Sequence, residues 1–270
     1  MAESRSWPLI SVCIVSFNRL EYLRETIQTF RRCCTYPNFE YILTDNGSEP
    51  EVVEYVKSLS FLDQCIMSEK NMGHGYAMNQ ARRVAKGEYY FNLENDFSFF
   101  YRSDWMERAV RLFERDERGD TVKKDPPGLP LGLVKFELGA RAADYTNRPG
   151  LMPKRVFGDV GEYTQVGREY QFVSESFGSI EKEYIRRFGA KYSCALSETP
   201  CCIHIGGYTT NPLYGNKGRR TYRELDDMLK DRWKNGKWWL TYNYEKTMHR
   251  MKIKSALRRY RKLEASREEH

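Results

Sequence analysis

The chain has 270 residues, 40% of them hydrophobic and 14% aromatic, with a formal net charge of +7. That suffices for one large domain or one domain with an appendage, and no apolar run approaches the roughly 18 residues that a membrane span requires. Eight Lys or Arg and no Asp or Glu lie between Lys246 and Lys262, so the basicity belongs to the tail; the near-neutral body lacks general polyanion-binding character.

The opening "MAESRSW" has neither the basic start nor the apolar block of a signal peptide, which predicts a cytoplasmic protein. "LISVCIVSF" (Leu9 to Phe17) is short, apolar and β-branched, like a strand buried on both faces. Asn18, with Glu21 three residues on, predicts a capping box for a helix carrying Leu20, Leu23, Ile27 and Phe30 on one face. "FEYILTD" is a second strand ending at Asp45, and "NGS" is a turn; Ser48, Pro50 and Glu51 then open a second helix. "QCIMS" is a brief third strand. "NMGHGYAMNQARRVAKG" breaks at its glycines, continues as a helix over Ala77, Ala81 and Val84, and stops at Gly87. "EYYFNL" is the fourth strand.

Four strand–helix alternations in about a hundred residues predict a parallel sheet with helices on both faces. Ligands bind at the carboxyl ends of the strands in such sheets, and Asp45, Glu94 and Asp96 all fall there. Further on, "DWMERAVRLFERD" is a helix, "KKDPPGLP" a loop and "LGLVKF" a strand. Glu137 to Arg168 is punctuated by glycine and has no clear period. "SIEKEYIRRFG" predicts a short helix capped by Ser179, "PCCIHIGGY" a strand running into a glycine turn, and "TNPLYGNKGRR" a loop; from Thr221 the chain reads as helical, aromatic and increasingly basic. The seven cysteines include two adjacent pairs and no C-x-x-C, which argues against a disulfide framework or a zinc site.

Side chains at i and i+2 of an extended segment share a side. Glu94 and Asp96 in "FNLENDF" can then form one oxygen-rich site for a hard cation such as Mg²⁺ or Mn²⁺. The plainer alternative is an ordinary Asn-Asp turn after a strand, and the tripeptide by itself does not choose between the two.

"ISVCIVSFNRLEYLRETI", "YILTDNGS", "EKNMGHGYAMNQA" and "GEYYFNLENDF", in this order and spacing, resemble family 2 glycosyltransferases of the GT-A fold across residues 9 to 110, and the resemblance recovers at "CIHIGG". It implies an α/β fold with a GT-A type, Rossmann-like, mostly parallel sheet flanked by helices, here with a C-terminal helical extension. The implied divisions are a nucleotide-sugar-binding half (1–103), an acceptor-binding half (104–218) and the extension (219–270). It also implies an enzyme: a metal-dependent inverting glycosyltransferase that uses a nucleoside-diphosphate sugar, UDP-linked by preference, with Mn²⁺ or Mg²⁺ as cofactor. The implied acceptor is a glycan or lipid-linked hydroxyl, as in surface polysaccharide synthesis. On this resemblance Asp45 contacts the base, and Ser16 and Asn18 border the nucleotide. Asp96 and Glu94 stand for the family's D-x-D motif, with Glu94 also near the donor, and His204 completes the metal site. A lone histidine beside apolar residues is more often a core residue, so His204 rests on the flanking motif alone.

The transferred sugar's acceptor must lose a proton, which a positioned base accelerates by roughly 10²–10⁴-fold. Glu181, in the first turn of the predicted helix, is the preferred base, with Glu175 and Glu183 as alternatives; Glu181 could equally serve only the helix dipole. Asn71, Gly73 and Asn79 either shape a loop beside the donor or form a simple glycine turn into a helix, since neither a dinucleotide fingerprint nor a Walker A sequence is present. Lys217, Arg219 or Arg220 in "GNKGRR" could close over the diphosphate or remain solvated. The aromatic and basic tail either meets an anionic membrane surface at the inner face of a membrane or packs with a solvated basic end. Rival functions are a nucleic-acid-binding protein using that tail, disfavoured by the neutral body, and a non-catalytic sugar- or nucleotide-binding module.

Overall fold

The computed structural model describes residues 6–143, 145–164, 174–205 and 247–266, giving for 174–181 the backbone alone. The chain divides into two compact units, Met1–Cys202 and Ile203–His270. The first unit is built on β1 (Ile10–Ser16), α1 (Leu20–Cys33), β2 (Phe39–Asp45), α2 (Pro50–Lys57), β3 (Gln64–Met67), α3 (His74–Val84) and β4 (Tyr89–Glu94). There follow β5 (Phe97–Phe99), α4 (Trp105–Glu117), β6 (Leu131–Lys135), β7 (Gly150–Pro153), α5 (Lys154–Val160), α6 (Ser174–Gly189) and β8 (Ser193–Leu196). β9 (Cys202–His204) begins at the last residue of this unit.

Among the described residues the main sheet has seven strands in the order β3-β2-β1-β4-β7-β6-β8. The predicted alternation produces the parallel run β3-β2-β1-β4, as the continuous apolar strands require, with β1 wholly buried at its centre. β7 enters antiparallel to both β4 and β6, and β6 pairs parallel with β8. The sheet is therefore mixed but mostly parallel. In register, Ser16 faces Asp45, Val15 faces Glu94, and Asp45 faces Met67. The carboxyl ends of β1, β2, β3 and β4 thus form one rim.

Aromatic side chains fill one face of the sheet. Trp105 is fully buried, 4.9 Å from the Phe136 ring and stacked 5.8 Å from Phe99, while Phe30 stacks on Phe91 at 5.3 Å. The other face is a separate apolar cluster of Cys13, Val15, Ile42, Ala77, Met78, Ala81 and Tyr90 under α3, continued by Tyr184 and Phe188 from α6. α1 also anchors β5: the Phe97 and Phe99 amides donate to the Thr26 and Thr29 hydroxyls, each at 3.0 Å. This fixes the two-residue turn between β4 and β5, which holds Asn95 and Asp96.

The predicted helix caps are not formed. α1 starts after Arg19 and α2 after Glu49, neither with a side-chain capping bond, because Asn18 and Ser48 bond across to each other's loops instead. α6 begins at Ser174, five residues before the predicted cap Ser179, so Glu181 lies inside the helix and not in its first turn. The unassigned stretch after Glu137 supplies β7 and α5. In the second unit the described residues include a helix over 247–266, α7, with Ala256 and Tyr260 buried.

Replacing Trp105 by Ala removes the largest buried side chain of the aromatic layer and leaves a cavity. Urea denaturation is expected to show a loss of about 3–5 kcal/mol.

Candidate active site

The rim is shaped by two tied loops. After β1 the chain turns through Asn18 (φ 53°) and Arg19 (φ 56°), both left-handed and neither glycine. Each such residue costs on the order of 1–2 kcal/mol and persists only where its surroundings over-determine it. Here they do. The Asn18 amide donates to Ser48 Oγ at 2.8 Å, the Glu49 amide donates to Asn18 Oδ1 at 2.8 Å, and Asn95 Nδ2 donates to the Asn18 carbonyl at 3.1 Å.

Asp45 is fully buried at the end of β2, with Oδ1 accepting from Ser48 Oγ at 2.5 Å and Oδ2 from the Ser48 amide at 2.9 Å. Ser16, equally buried beside it, accepts the Asn46 amide at its carbonyl, 2.8 Å away. Asn46 reaches on to the next loop: its Nδ2 donates to Asn71 Oδ1 at 2.8 Å, and its Oδ1 accepts the Met72 amide at 2.9 Å. Asn71 Oδ1 also accepts the Gly73 amide at 2.9 Å. These loops touch at Gly47 (φ +76°), where a Cβ would stand 2.4 Å from the Lys70 carbonyl carbon. Ser16, Asn18, Asp45, Asn71 and Gly73 are therefore one connected rim. Asn79 is not part of it: fully buried, its amide clamps both backbone groups of Tyr163, at 2.9 and 3.0 Å.

Glu94 and Asp96 are not an extended i, i+2 pair, because the chain turns at Asn95-Asp96. They nonetheless share their surroundings. Arg19 Nη1 lies 2.9 Å from Asp96 Oδ2, and His74 Nε2 lies 3.7 Å from Glu94 Oε1. Arg148 is held above its ordinary pKa first by its hydrogen bond to Glu137, and further by the fields of Glu137, Glu94 and Asp96. Its Nη1 donates to both Glu137 oxygens, at 2.6 and 2.8 Å. Burial, and then repulsion from the Arg82 guanidinium, pushes the His74 imidazole down to about 4, against the opposing pull of Asp96.

Arg19, His74 and Arg148 were missed by the sequence reading. Arg19 directly follows a selected asparagine and His74 directly follows the selected Gly73, so adjacency was their signal; Arg148, in the stretch without a clear period, offered none. Among the base candidates, Glu183 accepts from the Thr164 hydroxyl and has Arg187 Nε 3.6 Å from its Oε1. The side chains of Glu175 and Glu181 lie outside the described residues, as does Lys217 with Arg219 and Arg220. His204 ends β9, in the second unit. Among the described residues, no three His, Cys, Asp or Glu side chains are gathered as a metal-binding group.

Known proteins resemble this chain in sequence over its first half and in fold. Residues 11–125 match the family model described as glycosyl transferase family 2. An uncharacterized glycosyltransferase of Rickettsia typhi is 28% identical over 123 residues, 45% of this chain and 37% of that protein. One from Methanocaldococcus jannaschii is 32% identical over 94 residues, 33% of this chain and 32% of that protein. The chain thus spans about a third of the length of these curated relatives. A mannosyltransferase from Pyrobaculum calidifontis, solved in complex with GDP-Man and Mn²⁺, superposes with a TM-score of 0.53 at 15% identity, covering 73% of this chain and 57% of that one. Residues 11–125 are thus similar to glycosyl transferase family 2, and the fold resembles that of the Pyrobaculum mannosyltransferase.

The His74 shift has a consequence for stability. Its folded pKa is depressed below the ordinary 6.5, so the unfolded chain takes up the proton first, and stability falls as pH drops from about 6.5 toward about 4. The full effect is on the order of 3 kcal/mol. In His74→Gln this component is absent, so its stability, measured by denaturation at a series of pH values, is expected to decline less over that window than the parent's.

Proposed function

We propose that this chain is a metal-dependent inverting glycosyltransferase, moving a sugar from a nucleoside-diphosphate sugar to an acceptor hydroxyl. The observation that carries the reading is the convergence of Glu94 and Asp96 on shared cationic surroundings, Arg148 and Arg19, at the strand ends of a family 2 segment. The donor sits against the rim of Ser16, Asn18, Asp45, Asn71 and Gly73, with residues 1–103 as the donor half and 104–218 as the acceptor half. Asp45 is buried and bonded to Ser48, so its part in base recognition is to set the 45–48 turn that the base meets. A UDP-sugar remains the favoured donor, and the GDP-Man bound by the Pyrobaculum protein belongs to the same chemical class.

Asp96 and Glu94 would hold the cofactor, Mn²⁺ or Mg²⁺. The donor set fits: carboxylate oxygens suit hard divalent ions, which take one or two carboxylates and complete their shell with substrate phosphates and water. The position also accepts positive charge, since a guanidinium nitrogen already stands 2.9 Å from Asp96. When bound, such an ion supplies Lewis-acid stabilisation of the departing diphosphate. The chain's own contribution is preorganised charge. Arg148, fastened to Glu137, lies where negative charge gathers and requires no reorganisation as it develops. The acceptor proton goes to a carboxylate on α6, taken from Glu175, Glu181 and Glu183; Glu183 must leave Thr164 and Arg187 to serve. The acceptor is a glycan or lipid-linked hydroxyl of the kind used in surface polysaccharide synthesis.

Thermal shift with Mn²⁺ and a panel of nucleotide sugars tests the reading. At a hundred times Kd a ligand stabilises by about 2.7 kcal/mol; Asp96→Ala is expected to abolish the metal-dependent part. Undiminished Mn²⁺ and donor binding by that variant would overturn the reading. Arg19→Ala removes the guanidinium that competes for Asp96, so its affinity for Mn²⁺ without nucleotide, read by electron paramagnetic resonance, is expected to rise severalfold.

A further inference from the structure

Helix α7 (247–266) turns one stripe inward: Ala256 and Tyr260 are buried, and Ile253 and Leu257 are half-buried. The stripe that would insert into a bilayer is therefore already covered. What the helix presents outward is charge. Arg250, Lys254, Arg258 and Arg261 follow one another at spacings of four, four and three residues, which at 3.6 residues per turn sets them in one row, with Lys262 beside it. All five are exposed, as are Lys252 and Arg259 on the far shoulder. Among the described residues of this helix the acidic side chain is Glu264, half-buried on the inward side. Met251, exposed at 59%, stands within the basic arc, and Leu263, exposed at 39%, lies at its margin beside the inward stripe.

We infer that this face of α7 is a docking surface for an anionic lipid membrane, to which it adsorbs electrostatically without insertion. The row from Arg250 to Lys262 runs about 18 Å at 1.5 Å per residue, so its charges meet a surface together. Each lies within a Debye length, about 10 Å at 0.1 M salt, of a membrane that the helix lies against. Basic residues this close to an anionic leaflet act additively, and the exposed Met251 among them suits the apolar margin of a headgroup layer. Nucleic acid is the less fitting partner. The charge outside the tail is near neutral, and the exposed arc of α7 offers no aromatic ring on which a base could stack. The inference does not depend on the transferase reading.

The test is flotation of the full chain with vesicles of phosphatidylcholine alone and of phosphatidylcholine with about 30% phosphatidylglycerol, which carry a strongly negative surface. Binding is expected to the anionic vesicles only, and to be lost on raising salt from 0.1 to 0.5 M, where the Debye length falls to less than about half. The combined variant Arg250→Gln, Lys254→Gln, Arg258→Gln, Arg261→Gln is expected to bind at least roughly a hundredfold more weakly, with an unchanged thermal melt. The four side chains are exposed, so the fold does not depend on them. Equal binding to neutral vesicles, or undiminished binding by the variant, would overturn the inference. So would tighter, equally salt-sensitive capture of a duplex RNA through the same four residues, which would assign the face to nucleic acid.

Discussion

Electrostatic repulsion between the carboxylates of Glu94 and Asp96 is the constraint around which the rim is arranged. Like charges in one site disfavour each other's ionised form unless positive charge stands nearby. The chain meets this with positive charge from two directions. Arg19 reaches Asp96 from the loop after β1, and Arg148 approaches both acids from the segment before β7 while fastened to Glu137. The isolated Arg19–Asp96 pair is worth little by itself, as partly exposed ion pairs are. Its removal matters because it leaves Asp96 facing Glu94 with less compensation.

That placement of charge explains backbone that would otherwise be wasteful. Two consecutive left-handed residues, Asn18 and Arg19, put the guanidinium beside Asp96 and the Asn18 carbonyl under Asn95. The same turn sends the Asn18 side chain to Glu49 and receives Ser48 on its amide, so the loops after β1 and β2 hold each other. Asp45 completes the tie by gripping Ser48 with both oxygens. Strain in one loop is thus compensated by hydrogen bonds from two others, and the rim is set before any ligand arrives.

The first four strands and the rim position of Asp45 and Glu94 were legible in the sequence, because strands buried on both faces and amphipathic helices leave local patterns. β7 was not, since "GLMP" gains its partners from β4 and β6, some sixty and fifteen residues distant, and carries no period of its own. The caps failed for a related reason: Asn18 and Ser48 have the right chemistry to cap, but the partners they take lie across the rim. Arg148 could not be singled out among many arginines without knowing that its segment folds back toward the end of β4. Side-chain spacing also misled at Glu94-Asn95-Asp96, where a turn, not an extended strand, brings the acids under common charges.

His74 shows how far the charge arrangement extends. An imidazole beside two carboxylates would ordinarily gain a proton, yet burial and Arg82 together hold it neutral. Arg82 is itself buried, and its guanidinium is held by neutral groups, the Tyr184 and Tyr145 hydroxyls and the Asn92 carbonyl oxygen, at 3.1–3.2 Å. Neutral oxygens accept from its Nη1 and Nη2 without cancelling its charge, so its field persists through the low-dielectric interior beneath α3. Asn92 stands two residues before Glu94 on the same strand, which aligns this permanent cation with the acidic end of β4. A protonated His74 between Arg82 and the acids would satisfy Glu94 from within the protein. A neutral one adds no charge of its own to the acidic end of β4, where Arg19 and Arg148 stand among the described residues.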